Sequence, residues 1–179
     1  MTIICAVYDP DAGKFWLGCN SGSLVGDTII PEHRTKWLRF ANWAIAFSGS
    51  GVADDALETE RGKFPNQATD VHQVTAFIRA SFERYDLGEK DDGAKDFGVS
   101  GLIAQTGGML YDVDGRLSLG RIPEGTMWAR GSGMDFALGA DMAMKTKGFG
   151  PQERLETAVL TAIDLDSGCP GEPIVESFG

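Results

Sequence analysis

Hydrophobic positions along this chain form short apolar runs near the start, and they change to a helical spacing further on. The first runs predict strands at 2–8 and 14–19, joined through a hairpin turn at 9–13 that is rich in Asp, Pro and Gly. A second strand pair is predicted at 34–40 and 43–48. The chain therefore begins as a β structure.

The spacing then becomes helical. A weakly amphipathic helix is predicted from 52 to 61, before Pro65. The next helix follows Thr69 as its expected N-cap, and its apolar residues recur at steps of three and four: Val71, Val74, Ile78, Phe82 and Tyr85. The charged segment 86–96 has no period and is predicted to be a surface loop.

The second half repeats this order of strands followed by helices. Strands are predicted at 97–105, 108–113 and 126–130. Two helices follow, one over 134–145 and one that begins at Pro151, and a last strand is expected at 173–178. This order predicts an α+β fold, a four-layer αββα sandwich in which two packed sheets are covered by helices, as one domain over 1–179.

Composition narrows the class of protein. The three cysteines are widely spaced and form no Cys-x-x-Cys pair, as expected of reduced thiols in a cytoplasmic protein. With two histidines and no clustered ligands, we expect neither a metal nor a cofactor. No apolar run reaches about 18 residues, so we expect no membrane span. The net charge of −10, with no cluster of Lys and Arg, argues against nucleic-acid binding.

Thr2 is the first candidate for chemistry. Removal of Met1 would place a hydroxyl and a primary amine on one residue, and the amine could accept the proton of the hydroxyl. A small residue after Met1 is also common at ordinary termini, so Thr2 alone does not define a site.

Three further residues have both a functional and a structural interpretation. Lys36 lies among apolar residues and would be costly to bury without a compensating charge, although it could also point to water. Ser132 precedes a predicted helix, where an N-cap role alone would explain it. Asp166 follows a predicted helix, and a carboxylate at that end requires a partner such as a cation or an amine.

The chain resembles the proteasome β-subunit superfamily of N-terminal nucleophile hydrolases, which includes the HslV peptidase and the β-proteobacterial proteasome homologue. The resemblance covers nearly the whole chain and is most specific in the run Gly-Ser-Gly-Met-Asp-Phe-Ala-Leu-Gly-Ala at 131–140 and in Asp-Ser-Gly at 166–168. It implies a four-layer αββα sandwich, ring assembly and threonine peptidase chemistry.

The resemblance also implies roles for individual residues. Thr2 would be the nucleophile, and Lys36 would lower the pKa of its hydroxyl and amine. Gly49 would stabilise the oxyanion through its amide, although it could instead only relieve crowding before a helix. Ser132 and Asp166 would hold the terminal amine and relay its proton.

Three positions depart from the family pattern. Asn20 stands where the family has an acidic residue that pairs with the strand lysine, so Lys36 would lose its main ion-pair partner. Cys169 replaces a frequent serine beside Asp166, and Gly22 replaces a frequent arginine. These departures weaken the expectation of full activity.

The leading hypothesis is a threonine-type peptidase subunit that degrades unfolded polypeptide inside a self-compartmentalised ring. The ring would hold six or seven copies, arranged as a double ring, with an unfoldase as a further partner. One alternative is a ring-forming structural or regulatory homologue with impaired catalysis, which Asn20 suggests and which retention of Met1 would favour. Another is an amidase of the same architecture that acts on a small molecule and needs no ring.

Overall fold

The computed structural model describes residues 2–25, 28–30, 35–49, 51–91 and 93–179. The strands are β1 (Ile3–Asp9), β2 (Lys14–Asn20), β3 (Ser23–Val25), β4 (Thr28–Ile30), β5 (Leu38–Phe40), β6 (Trp43–Ser48), β7 (Glu89–Asp91), β8 (Ala94–Asp96), β9 (Ser100–Gln105), β10 (Met109–Val113), β11 (Leu119–Ile122), β12 (Trp128–Gly131) and β13 (Pro173–Phe178). The helices are α1 (Val52–Thr59), α2 (Val71–Arg84), α3 (Met134–Thr146) and α4 (Pro151–Leu165). In these described ranges, no helix is both long enough and apolar enough to span a membrane.

Two antiparallel sheets form the centre of the fold. One has four strands in the order β12-β1-β2-β13, and the other has five in the order β11-β10-β9-β6-β5. Two small hairpins, β3–β4 and β7–β8, lie outside these sheets. Because β1 pairs with β12 and β6 pairs with β9, strand ends from distant parts of the sequence meet at one end of the sandwich.

The side chains of β1 show why this segment is apolar throughout. Ile4 and Ala6 face the cluster between the two sheets, whereas Ile3, Cys5 and Val7 face the cluster under α3 and α4. Successive side chains of a strand point to opposite faces, so a strand buried on both faces needs a continuous apolar run. β1 is therefore a central strand of the four-stranded sheet, which is one of the two inner layers of the sandwich.

Helices α1 and α2 cover the outer face of the five-stranded sheet. Phe82 of α2 packs edge-on against Phe47 of β6, with 5.4 Å between the ring centroids, inside a separate buried cluster. Three hydrophobic clusters thus separate four layers, two helical and two of sheet. The predicted α+β class and the αββα sandwich are confirmed.

The structure differs from the sequence predictions in several short elements. The strand predicted at 34–40 is limited to β5, so Lys36 lies before a strand rather than within one; position 34 lies outside the described residues. The predicted loop 86–96 contains the hairpin β7–β8. The strands of the two small hairpins and β11 have three or four residues each, which is too few to show an apolar alternation.

The N-cap of α2 is Asp70 and not the expected Thr69. The Asp70 side chain accepts hydrogen bonds from the backbone N–H groups of His72 and Gln73, at 2.8 and 3.1 Å. Thr69 instead donates its own backbone N–H to Gln73 Oε1 at 2.9 Å. The helix therefore begins one residue later than a threonine cap would imply.

This assignment predicts that Asp70→Ala lowers the free energy of unfolding by about 1 kcal/mol, because two helical N–H groups lose their acceptor. Thr69→Ala should change it little, since the only hydrogen bond described for Thr69 uses its backbone. Urea unfolding followed by circular dichroism compares the two variants. An equal or larger loss for Thr69→Ala would show that the cap is assigned to the wrong residue.

Candidate active site

A cleft of about 430 Å³ opens at the end of the sandwich where strand ends meet. Its described lining residues are Thr2, Ser48, Gly49, Asp96, Gly98, Val99, Ser100, Gly115, Gly131 and Ser132. The register of the sheets brings these residues together, because Ser48 pairs with Ser100 and Ile3, next to Thr2, pairs with Gly131. The cleft has a volume within the range of roughly 300–1,000 Å³ that is usual for ligand sites.

The Thr2 hydroxyl is held inside this cleft by a neutral amide. Only 6% of Thr2 is exposed, and its Oγ1 donates a hydrogen bond to Asn20 Oδ1 at 2.7 Å. The backbone N–H of Ile3 donates to the same oxygen at 3.0 Å. Asn20 thus positions both the Thr2 side chain and the first peptide of β1.

The other end of the Asn20 side chain is equally well partnered. Its Nδ2 donates to the carbonyl oxygens of Gly22 and Pro170, at 2.8 Å each. Carbonyl oxygens can only accept and the N–H of Ile3 can only donate, so these three partners fix the orientation of the amide. Asn20 is fully buried, and its hydrogen bonds join β1, the end of β2 and the loop that follows α4.

The glycine at position 22 belongs to the same junction. The Gly22 N–H donates to the Pro170 carbonyl at 3.0 Å, and a Cβ on Gly22 would lie 2.7 Å from that oxygen. Ser21 and Glu172 add two hydrogen bonds between the same loops, each of 2.9 Å. A larger residue at position 22, such as the arginine frequent in the family, would require these loops to separate.

Lys36 lies near the junction without lining the cleft. Its Nζ donates to the Gly22 carbonyl at 3.0 Å and lies 3.4 Å from Ser23 Oγ, while its backbone N–H donates to Cys19 Sγ at 3.4 Å. The side chain is half-buried, and no carboxylate among the described residues forms an ion pair with it. Lys36 and Asn20 share one acceptor, the carbonyl of Gly22.

On the opposite side, Ser132 meets the loop that follows α4. A hydrogen bond from Ser132 is the main reason that the pKa of Asp166 lies below its ordinary value, and the N–H of Gly168 adds to the effect at 2.9 Å. Gly133, not Ser132, is the N-cap of α3, and no side chain caps that helix. The capping interpretation of Ser132 is therefore wrong.

Cys169 completes this group as a thiol donor. Its Sγ donates to Asp166 Oδ2 at 3.3 Å and lies 3.7 Å from Ser132 Oγ. Burial, together with the neighbouring carboxylate, raises the pKa of Cys169 to about 11. A protonated thiol can donate to Asp166 as a serine hydroxyl would, only more weakly.

Two glycines allow the backbone to approach closely around the cleft. Gly131 has a φ of +112°, and a Cβ there would lie 1.8 Å from the Thr2 carbonyl oxygen. Gly49 has a φ of +122°, and its Cβ would lie 2.8 Å from the Gly98 carbonyl. Both positions therefore require glycine for steric reasons alone, independently of any role of the Gly49 amide in stabilising an oxyanion.

The structure therefore assembles most of the candidate residues around one cleft. Thr2, Gly49 and Ser132 line it, while Asn20 supports Thr2 from beneath. Lining residues that sequence reasoning missed include Asp96, which lies in the short hairpin β7–β8. Only the register of that hairpin and the fold of the loops place it there, and neither has a sequence signature.

The chain is similar to known proteins in its fold and not detectably in its sequence. No protein-family model and no curated protein matches the sequence. Solved structures do match: the proteasome homologue BPH of Thiobacillus denitrificans has a TM-score of 0.79 at 18% identity, over 99% of this chain and 98% of that one. Its complex with epoxomicin has a TM-score of 0.77 at 17% identity, over 100% of both chains.

A third solved structure, eukaryotic HslV from Trypanosoma brucei, has a TM-score of 0.68 at 20% identity, over 98% of both chains. These similarities cover the full chain, and at such low identities they establish the fold. The chain therefore has the proteasome- and HslV-like fold of the N-terminal nucleophile hydrolases.

Proposed function

We propose that this chain is a threonine-type peptidase of the proteasome-like class, with Thr2 as its N-terminal nucleophile. The observation that carries the proposal is the position of the Thr2 hydroxyl, which is held by Asn20 in a cleft that also contains Ser132. The likeness to a proteasome homologue whose complex with epoxomicin has been solved supports it. Activity requires that everything before Thr2 be removed, because only a free amine can act as the base.

In the proposed mechanism the Thr2 amine accepts the Oγ1 proton, directly or through water, and Oγ1 attacks the carbonyl carbon of the peptide. The amide of Gly49 would stabilise the oxyanion. Collapse of the tetrahedral intermediate breaks the C–N bond, and the amine returns the proton to the leaving nitrogen. Water then hydrolyses the acyl ester on Thr2 and regenerates the hydroxyl.

The surrounding residues would tune this chemistry. Asp166, whose carboxylate form is favoured by its hydrogen bonds from Ser132 and Gly168, is suited to attract and orient the terminal ammonium. The positive charge of Lys36 would act across the shared Gly22 carbonyl and favour deprotonation of Thr2. In this arrangement Asn20 orients the hydroxyl and contributes no charge.

The Lys36 environment also favours a second candidate, a homologue with reduced catalysis. With a carbonyl and a hydroxyl as its side-chain partners, Lys36 is held less firmly than in an ion pair. Such a subunit would keep the fold and its assembly while cleaving slowly. Reaction with epoxomicin, compared with the rate of casein cleavage, distinguishes the active peptidase from this second candidate.

Ring assembly is part of the proposal. Five of the nine large hydrophobic side chains exposed in the described structure belong to the outer layer of α3, α4 and their connection: Phe136, Met142, Phe149, Leu160 and Leu165. Association of identical subunits would bury such residues. We propose a ring of six or seven copies in a double ring, in the cytoplasm, fed with unfolded polypeptide by an unfoldase.

Thr2 is expected to react with epoxomicin once its amine is free. Protein lacking Met1 should gain one covalent adduct at Thr2, detected by intact mass and peptide mapping. Thr2→Ser should keep the adduct, whereas Thr2→Ala should lose it. Thr2→Ala should also lower the cleavage of unfolded casein by about a thousandfold or more, since the hydroxyl nucleophile is lost although the terminal amine remains.

Matured protein that takes up the probe but cleaves unfolded casein only at a trace rate would support the second candidate. No adduct on a proven free Thr2 would remove the peptidase proposal.

Asn20→Asp tests whether a neutral amide is required. The new carboxylate would face the carbonyl oxygens of Gly22 and Pro170. We therefore expect the free energy of unfolding to fall by about 2 kcal/mol at neutral pH. These neighbours disfavour the charged form and raise the carboxyl pKa in the folded state. The loss should therefore shrink as pH falls through that raised pKa towards the unfolded value near 4.

Urea unfolding at several pH values measures this dependence, with the native protein and Asn20→Ala as references. A stable Asn20→Asp protein with higher turnover would contradict the requirement for a neutral amide at position 20, because Lys36 would then have moved to pair with the new carboxylate.

The mass in solution tests the ring directly. We expect light scattering after size exclusion to show a closed assembly of at least six subunits. A monomer that still reacts with the probe would contradict the ring and favour an amidase that acts on a small molecule.

A further inference from the structure

We propose that Asp96 determines specificity by selecting polypeptide segments with a Lys or Arg side chain close to the cleaved bond. This inference rests on the proposed peptidase function and names the substrate class of the same cleft. Asp96 is the one charged residue among the described residues that line the cleft; the other lining residues are Gly, Ser, Thr and Val. An isolated charge in an otherwise neutral wall is suited to discriminate between substrate side chains.

The Asp96 carboxylate is held in place by its surroundings. Its Oδ1 accepts the backbone N–H of Gly98 at 2.8 Å. The absence of a side chain at Gly115 makes room for the carboxylate, because a Cβ there would lie 2.3 Å from Oδ1. Local hydrogen bonding and packing thus position the group, and its orientation does not depend on substrate.

The charge of Asp96 remains available to a ligand. Asp96 is half-buried, and within the described ranges it forms no ion pair. The preceding cation, Lys95, is directed elsewhere: its Nζ lies 3.6 Å from Asp86 and 5.7 Å from the centre of the Phe97 ring. A basic substrate side chain that enters the cleft would therefore meet a carboxylate that is already ordered.

The location of the cleft restricts where that side chain lies in the substrate. Asp96 and Thr2 line the same cleft of about 430 Å³, so a peptide bond placed at the Thr2 hydroxyl has its neighbouring residues beside Asp96. A half-enclosed site also weakens an ion pair less than open water does. The net charge of −10 on the chain would add a general attraction for basic segments, which the experiment must separate from the local effect.

The test uses matured protein and peptides that differ only by Arg or its neutral isostere citrulline, placed in turn at four positions around the cleaved bond. At one position the ratio of kcat/KM for Arg over citrulline should be about tenfold, and it should fall to about one in Asp96→Asn. Asp96→Lys should favour Glu over Gln at that position.

Asp11→Asn is the matched control, because it changes the net charge equally. Asp11 lies in the turn after β1, roughly 20 Å from Thr2 at about 3.3 Å for each of the seven strand residues. This variant should keep the preference for Arg. A preference that Asp96→Asn and Asp11→Asn reduce equally would reflect net charge and would overturn the inference.

A binding measurement keeps the inference separate from the proposed function. In Thr2→Ala protein, calorimetry should show the Arg peptide binding about tenfold more tightly than the citrulline peptide, with the difference lost on adding Asp96→Asn. Cleavage without any preference that depends on Asp96 would overturn the inference and leave the peptidase intact. No cleavage by matured protein would remove the peptidase, while the binding ratio would still support or overturn the role of Asp96.

Discussion

The candidate site depends on the hydrogen bonds made by the buried side-chain amide of Asn20. One amide oxygen accepts hydrogen bonds from the Thr2 hydroxyl and the Ile3 N–H, and one amide nitrogen donates to the carbonyls of Gly22 and Pro170. All four hydrogen-bonding capacities of the amide are thus used. Buried polar groups stabilise a structure only when they are paired, and here the pairing joins three segments that are distant in the sequence.

The substitution at position 20 is coupled to its surroundings. A carboxylate could accept from Thr2 and Ile3 but could not donate to the two carbonyls, so an asparagine suits this loop arrangement better than the family's acidic residue does. Gly22 allows the Pro170 loop to approach, and Lys36 uses the Gly22 carbonyl in place of an ion-pair partner. Two of the three departures from the pattern of the resembled family, Asn20 and Gly22, therefore belong to one local arrangement.

Much of the fold could be predicted from the sequence, because β1, α2 and α4 bury whole faces and so carry clear apolar patterns. The hairpins β3–β4 and β7–β8 could not, since strands of three residues are too short to show such a pattern. For the candidate site, a family resemblance drew attention to Thr2 and Ser132, which line one cleft. It missed the hydrogen-bonding role of Asn20 and the position of Asp96, both of which arise from loop geometry rather than from a motif.

The most direct measurement is a neutron crystal structure of the protein with Thr2 at its free terminus, since neutrons distinguish the amide nitrogen from the oxygen. We expect Asn20 Oδ1 within hydrogen-bonding distance of Thr2 Oγ1, Nδ2 directed at the Gly22 and Pro170 carbonyls, and the free amine beside Ser132 and Asp166. A reversed Asn20 amide, or a terminal amine remote from Ser132 and Asp166, would contradict this arrangement.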